Sequence, residues 1–487
     1  MHLGVLTPGF GALAILFGSL LCLPLSVSAQ DIWGGKAPYI AKPRPDDGKH
    51  MALTMKKIQQ GDQLGRPLVI WALGSSYTNF LGDGSELIDM IRQRFPNAPD
   101  IVYHKHVGSA TEYRFLDGWV RHLLIADPPD VVLLYAVEKG KGTPEEVIRE
   151  IRACSTADIL VPSIHYRKQR DYLWGKRDEP VDQNVEGIKK LVEPYGIEYV
   201  ENRGEMAAWM SDNNLSPKDM TFDSVHQNKR TRNIINQNIA RHFHVPNQFA
   251  YDPSERERNL SVIDGKDIQL GQGFLKTNNG QAVTASNQGA TLEVAFKGNR
   301  IDMNARSGQD AGTAQLFLDG QPADEIDAYY ATFIRPESDK GTPRLTGDMA
   351  PHGIFLEKNI EPQTWTITMV GEDGSGGFKL VGSKTGPDGH GNAQQAFTSD
   401  SGQIRLDPLD WRDPQKTVAG HRFVFEVKRA TLGEVSFAQN NTGSHRFRLV
   451  TNLTNGSHKL KLVANGDGPI TIESFDIYEP PLKQARE

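Results

Sequence analysis

Between residues 66 and 246, short apolar runs alternate with stretches in which apolar residues return every three or four positions. The runs at 67–73, 100–103, 130–135, 158–162 and 197–200 are rich in Val, Ile and Leu and predict strands. Residues 86–95, 115–126, 144–155, 185–195 and 229–243 predict helices. In the last of these, Ile235, Ile239 and Phe243 recur at i, i+4 and i+8. Thr143, Pro144 and Glu146 form a capping-box start for the helix at 144, with proline at its first position. Apolar strands separated by helices predict a parallel five-stranded sheet covered on both faces, a three-layer α/β domain over 66–246.

After Pro246 the period changes. Residues 247–262 open with a polar, charged stretch around Tyr251, Asp252, Glu255 and Arg258, and read as a linker. Alternating runs follow at 291–296, 314–318, 364–369, 423–427 and 458–463, punctuated by Asp-Gly and Asn-Gly turns. Residues 263–481 therefore predict an all-β sandwich region, as one large module or two small ones. Residues 371–401, rich in Gly, Asp and Ser, read as a long loop.

A length of 487 residues agrees with two or three domains. The net charge of −6 gives no footprint for nucleic acid or an anionic membrane. The terminus changes the picture more. Residues 12–25 are largely apolar, and Val27, Ser28 and Ala29 form a small-residue cleavage pattern before Gln30. Gly18 and Pro24 break the apolar core, which is short for a span. Residues 1–29 thus predict a signal peptide, 30–65 an N-terminal extension, and the mature chain a periplasmic or secreted protein with no integral span. Cys22 would leave with the signal, so Cys154 stands alone and reads as a core thiol in the helix at 144–155.

In an open parallel sheet, functional groups gather where the strands end. Gly74, Ser75 and Ser76 end the first strand, and Asp223 and His226 stand three residues apart before the last helix. Serine needs an imidazole to take its proton and a carboxylate to orient that imidazole. A single segment carrying Asp-x-x-His delivers both.

These segments resemble the blocks of the SGNH (GDSL-type) hydrolases. Gly74, Ser75, Ser76 and Thr78 match that family's Gly-Asp-Ser block with its nearby Thr, apart from Ser75 in the Asp place. Asp223 and His226 match its last block. The resemblance implies a flavodoxin-like α/β domain, with Ser76 as nucleophile, His226 as base and Asp223 as orienter. It implies an oxyanion hole built from the N–H groups of Ser76 and of Gly108, which follows the second strand, and no metal or organic cofactor. One block departs: Glu138 stands where the family has an oxyanion-donating Asn. Losing such a donor costs about 2.7–4 kcal/mol. Three accounts are open: Glu138 points away and pairs with a cation such as Lys139, another residue supplies the donor, or the enzyme is slow, specialised or inactive.

The expectation is an exported serine esterase, a carbohydrate O-acetylesterase, acting on an acylated small molecule or polysaccharide. The alternatives are an O-acyltransferase acting on a glycan, or a non-catalytic carbohydrate-binding or envelope protein on a decayed hydrolase domain. The last segment, from Gly456 to Pro481, resembles the closing strands of a jelly-roll accessory module. Such modules often accompany polysaccharide-active enzymes. His104 and His106 could ligate a metal but read as surface or pocket-wall residues. His165 follows the fourth strand and reads equally as a site-mouth or a packed residue. Trp119 and Trp174 could stack on sugar, though core filling is commoner. Asp388 to Asn392 resembles a calcium loop only loosely and reads as a solvated turn.

Overall fold

The computed structural model describes residues 31–107, 118–135, 144–167, 180–263, 266–277, 279–334, 349–357, 359–411 and 413–483. The expected signal peptide, Gly108, Glu138, Thr143 and Trp174 lie outside these residues. Residues 31–38 belong to a unit of their own. In it the Asp31 carboxylate accepts the N–H groups of Trp33, Gly34 and Gly35 at 2.9, 3.1 and 2.9 Å. The chain from Tyr39 onward is a second compact unit. No described helix is long and apolar enough to cross a membrane.

The second unit begins with helix α1 (Ala52–Gln60) and strand β1 (Leu68–Gly74). Strands β2 (Ile101–Val107), β3 (Val131–Tyr135), β4 (Asp158–Pro162) and β5 (Glu198–Val200) complete one sheet. Every pairing in it is parallel, in the order β2-β1-β3-β4-β5. That order is flavodoxin-like, with its reversal point beside β1. The helices are α2 (Ser76–Asn79), α3 (Ser85–Arg94), α4 (Trp119–Ala126), α5 (Pro144–Cys154), α6 (Pro180–Val192), α7 (Arg203–Asp212) and α8 (Lys229–Arg241).

Alternation decides which side chains meet which helices. Trp71 and Leu73, Val132 and Leu134, and Ile159 and Val161 point to one face, where they pack with Val120, Leu124, Val147, Ile151 and Ile188 from α4, α5 and α6. Ile70, Ala72, Leu133 and Leu160 take the other face, on which α8 meets β4 and packs along α3. Register levels the strand ends, since Gly74 lies opposite both Val107 and Tyr135. Three helices, α1, the short α2 and α7, were not expected from the sequence. The buried residues of α7 do share one face, at Arg203, Met206, Ala207 and Met210 with Trp209 beside them, but a charged Arg203 on that face and an apolar Ala208 on the exposed one hide the period.

All five alternating runs of the later half lie within strands, at Thr291–Gly298, Thr313–Leu318, Thr364–Met369, Arg422–Arg429 and Gly456–Ala464. They belong to two antiparallel packings with separate cores. The strands from Tyr329–Ile334 to Arg422–Arg429 carry the second core, and fall in sequence between Gln321–Pro322 and Glu434–Ser436 of the first. Gly456–Ala464 and Ile470–Tyr478 lie inside their respective sheets, not at the edges. The expected loop at 371–401 instead holds three strands over about half its length, Gly377–Gly382, Gly386–Asn392 and Phe397–Thr398. Its glycines serve close approach. A Cβ on Gly391 would stand 2.4 Å from the Phe378 ring and 2.7 Å from that of Phe397. Asp388 is buried and accepts the Ser401 N–H and hydroxyl, each at 2.7 Å, so a solvated turn is corrected to a buried strand position.

Helix α4 joins the halves. Its Trp119 is 2% exposed, packs on Phe425, and donates its indole N–H to the Pro351 carbonyl at 3.1 Å. Trp119 therefore fills a core and offers no face to a sugar. At the other end, Arg448 donates to the Ile125 and Ala126 carbonyls at 2.9 and 3.1 Å, placing a cation at the negative helix end.

Three buried carboxylates tie the opposite edge of the sheet. Asp130, just before β3, takes a two-pronged Arg66 guanidinium (2.6 and 2.6 Å) and the Lys57 ammonium (2.7 Å). Asp158 opens β4 and accepts the Thr54 N–H and hydroxyl (2.9 and 2.8 Å), Arg256 (3.0 Å) and the Tyr251 hydroxyl. Glu198 opens β5 and accepts the Gly48 and His50 N–H groups at 2.7 and 2.8 Å. Burial pushes the Asp130 carboxyl up, but Lys57 and Arg66 outweigh it and hold it well below the usual range. Its folded pKa is thus below its unfolded value of about 3.9, so it adds stability above that pH and loses it as pH falls. Asp130→Asn strips Arg66 of its carboxylate and leaves Lys57 with Glu257 alone, and should lower the urea-unfolding free energy by about 3 kcal/mol at pH 7. The gap from wild type should shrink as the pH drops below about 4.

Candidate active site

Gly74 ends β1 with φ of 147°, in the region that favours glycine. A Cβ there would lie 2.2 Å from the Thr78 hydroxyl and 2.9 Å from the Tyr135 carbonyl. Only glycine lets the chain turn this sharply between β1 and β3. Ser75 then caps α2, its hydroxyl accepting the Tyr77 N–H at 3.4 Å. Ser76 is the first helical residue, so its N–H stands outside the helix's own hydrogen-bond ladder.

Asp223 and His226 lie on a tight hairpin. Thr221 and Gln227 form an antiparallel bridge, and the Phe222 N–H donates to the His226 carbonyl at 3.1 Å. One Asp223 oxygen accepts the Val225 and His226 N–H groups, both at 2.7 Å. The other accepts from His226 Nδ1 at 2.6 Å. A carboxylate only accepts, so the proton sits on Nδ1 and Nε2 keeps its lone pair. That Nε2 lies 2.9 Å from Ser76 Oγ. Ser76, His226 and Asp223 thus meet in one hydrogen-bonded line. Burial pushes the Asp223 carboxyl up, but the bonds from His226 and Val225 prevail and bring it down to about 2. It is ionised at any pH where the line would work.

Two residues that hold this hairpin were not foreseen in that role. Gln227 donates its amide to the Tyr77 carbonyl at 2.7 Å, linking the hairpin to α2. His165 is fully buried between β3 and the hairpin. Its Nε2–H donates to the Val225 carbonyl at 2.8 Å, and its Nδ1 accepts the Tyr135 hydroxyl at 2.7 Å. Burial pushes this imidazole down to about 3, so it stays neutral and keeps that tautomer. His165 is therefore packed behind the site. Asn228 caps α8 by accepting the Thr231 N–H at 3.1 Å, which sets where the hairpin ends.

The remaining candidates lie elsewhere. His104 is exposed and sits 3.7 Å from Asp127. His106 packs edge-on against Trp71 at 4.4 Å, and burial pushes it down to about 4. Among the described residues, no cluster of His, Cys, Asp and Glu is placed to hold a metal ion. Burial pushes the Cys154 thiol up to about 12, far from the thiolate that a nucleophile needs.

No family model matches the sequence, and no curated protein matches it significantly. Several solved structures show a weak overall likeness to this chain. A two-domain esterase (CEX) active on acetylated mannans is 12% identical with a TM-score of 0.34, over 90% of this chain and 99% of its own. The acetyl xylan esterase AlAXEase is 16% identical with a TM-score of 0.27, over 36% of this chain and 97% of its own. A protein described as a GDSL-like lipase from Parabacteroides merdae is 12% identical with a TM-score of 0.28, over 37% of this chain and 97% of its own. These scores are too low to transfer a residue role or a substrate.

The tether through His165 has a measurable consequence. His165→Phe removes the donor to the Val225 carbonyl, and should cost about 1–3 kcal/mol in urea unfolding. It should also slow labelling of Ser76 by a fluorophosphonate probe, with His165→Gln retaining more of both.

Proposed function

We propose that this chain is an exported serine esterase of the SGNH type that removes O-acetyl groups from carbohydrate. The observation that carries the reading is the line from Ser76 through His226 to Asp223, with 2.9 and 2.6 Å between heavy atoms. These are working distances for proton transfer.

Ser76 Oγ attacks the ester carbonyl carbon while its proton passes to His226 Nε2. The oxygen–carbon bond forms as the carbonyl π pair moves onto oxygen. The resulting oxyanion is received by the N–H of Ser76, to which the family resemblance would add that of Gly108. On collapse the bond to the alcohol oxygen breaks, and His226 gives that oxygen its proton. Water then gives a proton to His226 and attacks the acetyl-serine. Acetate leaves, and Ser76 recovers its hydrogen. Asp223 stays ionised throughout and holds the imidazole in one tautomer. None of these steps needs a metal or organic cofactor.

The carbohydrate part of the reading rests on different supports. An exported chain with a large β-sandwich half suits a sugar polymer, and the net charge of −6 does not favour anionic polymers. The line opens to solvent at its carboxylate end, where the Asp223 side chain is 40% exposed.

Hydrolysis of p-nitrophenyl acetate tests the nucleophile. Ser76→Ala should fall to background, a loss on the order of 10⁶-fold if the line works as a unit. Asp223→Asn should lower kcat by about 10⁴-fold with an unchanged circular dichroism spectrum. Equal rates for wild type and Ser76→Ala would end the esterase reading. Product analysis on an acetylated oligosaccharide with a second sugar present separates hydrolysis from acyl transfer, and free acetate is the expected product.

A further inference from the structure

The imidazole of His226 lies among three aromatic rings. Phe80 is 4.5 Å from it between centroids, Tyr77 5.6 Å and Phe222 5.7 Å. Phe222 lies nearly parallel to the imidazole, at 15°, and its ring is 5.0 Å from that of Phe80. The hairpin dictates this stacking, because Phe222 and His226 face one another across it. Phe80 and Tyr77 are half-buried, whereas Phe222 is 58% exposed.

An exposed phenylalanine is ordinary by itself. Its place beside the base is what distinguishes this one. In ester cleavage His226 Nε2 must hand its proton to the departing alcohol oxygen. That oxygen therefore comes within about 3 Å of Nε2. The acyl half points instead to the oxyanion donors, so rings bordering the imidazole border the alcohol half of the ester. A pyranose presents C–H groups on its ring faces, and these pack well on the flat face of an aromatic ring.

We propose that Phe222, backed by Phe80, is the platform on which the sugar ring of the substrate's alcohol half stacks. The inference rests on the esterase reading above and narrows its substrate class to esters of pyranose rings. A phenylalanine has no hydrogen-bonding group, so this surface selects for the ring face and not for a hydroxyl pattern. Several pyranoses should be accepted alike.

The test compares kcat/KM on glucose pentaacetate with kcat/KM on ethyl acetate, whose alcohol has no ring. In Phe222→Ala the ratio of the two should fall about three- to tenfold, chiefly through KM for the sugar ester. Phe222→Trp should restore it. An unchanged ratio in Phe222→Ala overturns the proposal. With both rates lowered together, that result would assign the ring to packing on His226 alone. Failure of the esterase reading itself looks different: wild type would be no faster than Ser76→Ala on either ester, and the platform would fall with it.

Discussion

Three carboxylates buried at the starting edge of consecutive strands organise this molecule. Asp130, Asp158 and Glu198 stand at the beginnings of β3, β4 and β5. Their partners come from segments that bracket the sheet in sequence: Gly48, His50, Thr54, Lys57 and Arg66 on one side, Tyr251 and Arg256 on the other. A buried carboxylate without partners would be far too costly to keep. The chain before β1 and the chain after α8 both dock on these carboxylates and so hold the sheet's starting edge closed. The stretch around 251–257 is held by these ion pairs, and it leads directly into Glu257–Ser261, which pairs with Ile470–Tyr478 of the first sandwich. One set of charges thus joins the α/β part to the β-rich part.

With the starting edge closed in this way, the finishing edge is left to carry chemistry. Gly74 brings β1 so close to β3 that no other residue fits, and α2 begins at once. The hairpin that carries Asp223 and His226 is then fixed from two sides, by Gln227 on the Tyr77 carbonyl and by His165 on the Val225 carbonyl. Both tethers end on backbone oxygens. They hold the path of the hairpin and leave the His226 side chain to be set by Asp223 and Ser76. Preorganisation here is mainly a matter of backbone position, with the rotamer a consequence of it.

The sequence and the structure agree where the signal is local. Strand and helix period gave the α/β layers, and Gly74, Ser76, Asp223 and His226 were legible because each sits at a strand end or beside a helix start. His165 was visible as a residue but not as a tether, because its partners Tyr135 and Val225 are 30 and 60 positions away. Phe222 gave no signal, since its role depends on a ring 142 positions earlier. Residues 371–401 were misread for a related reason. Glycine lowers strand propensity, yet at Gly391 it is required by the rings of Phe378 and Phe397. Composition reports propensity, and only the fold reveals which neighbour a glycine makes room for. Trp119 shows the same limit, as its burial depends on Pro351 and Phe425 in a distant module.

The spacing of Asp223 and His226 does more than bring two functional groups together. Each Asp223 oxygen has its own duty: one accepts two backbone N–H groups and shapes the hairpin, while the other orients the imidazole. The carboxylate is therefore a turn former and an orienter at once. An amide in its place could keep the first duty through its oxygen while presenting N–H to the imidazole in the second. The backbone would survive, and the tautomer of His226 would invert. Stability and chemistry are thus separable at this residue, because the loop needs only an acceptor whereas the imidazole needs an acceptor that cannot donate. The same compactness explains the neighbouring ring. A hairpin this short places Phe222 across from His226, so the exposed ring beside the imidazole is set by the same turn that holds Asp223 and His226 together.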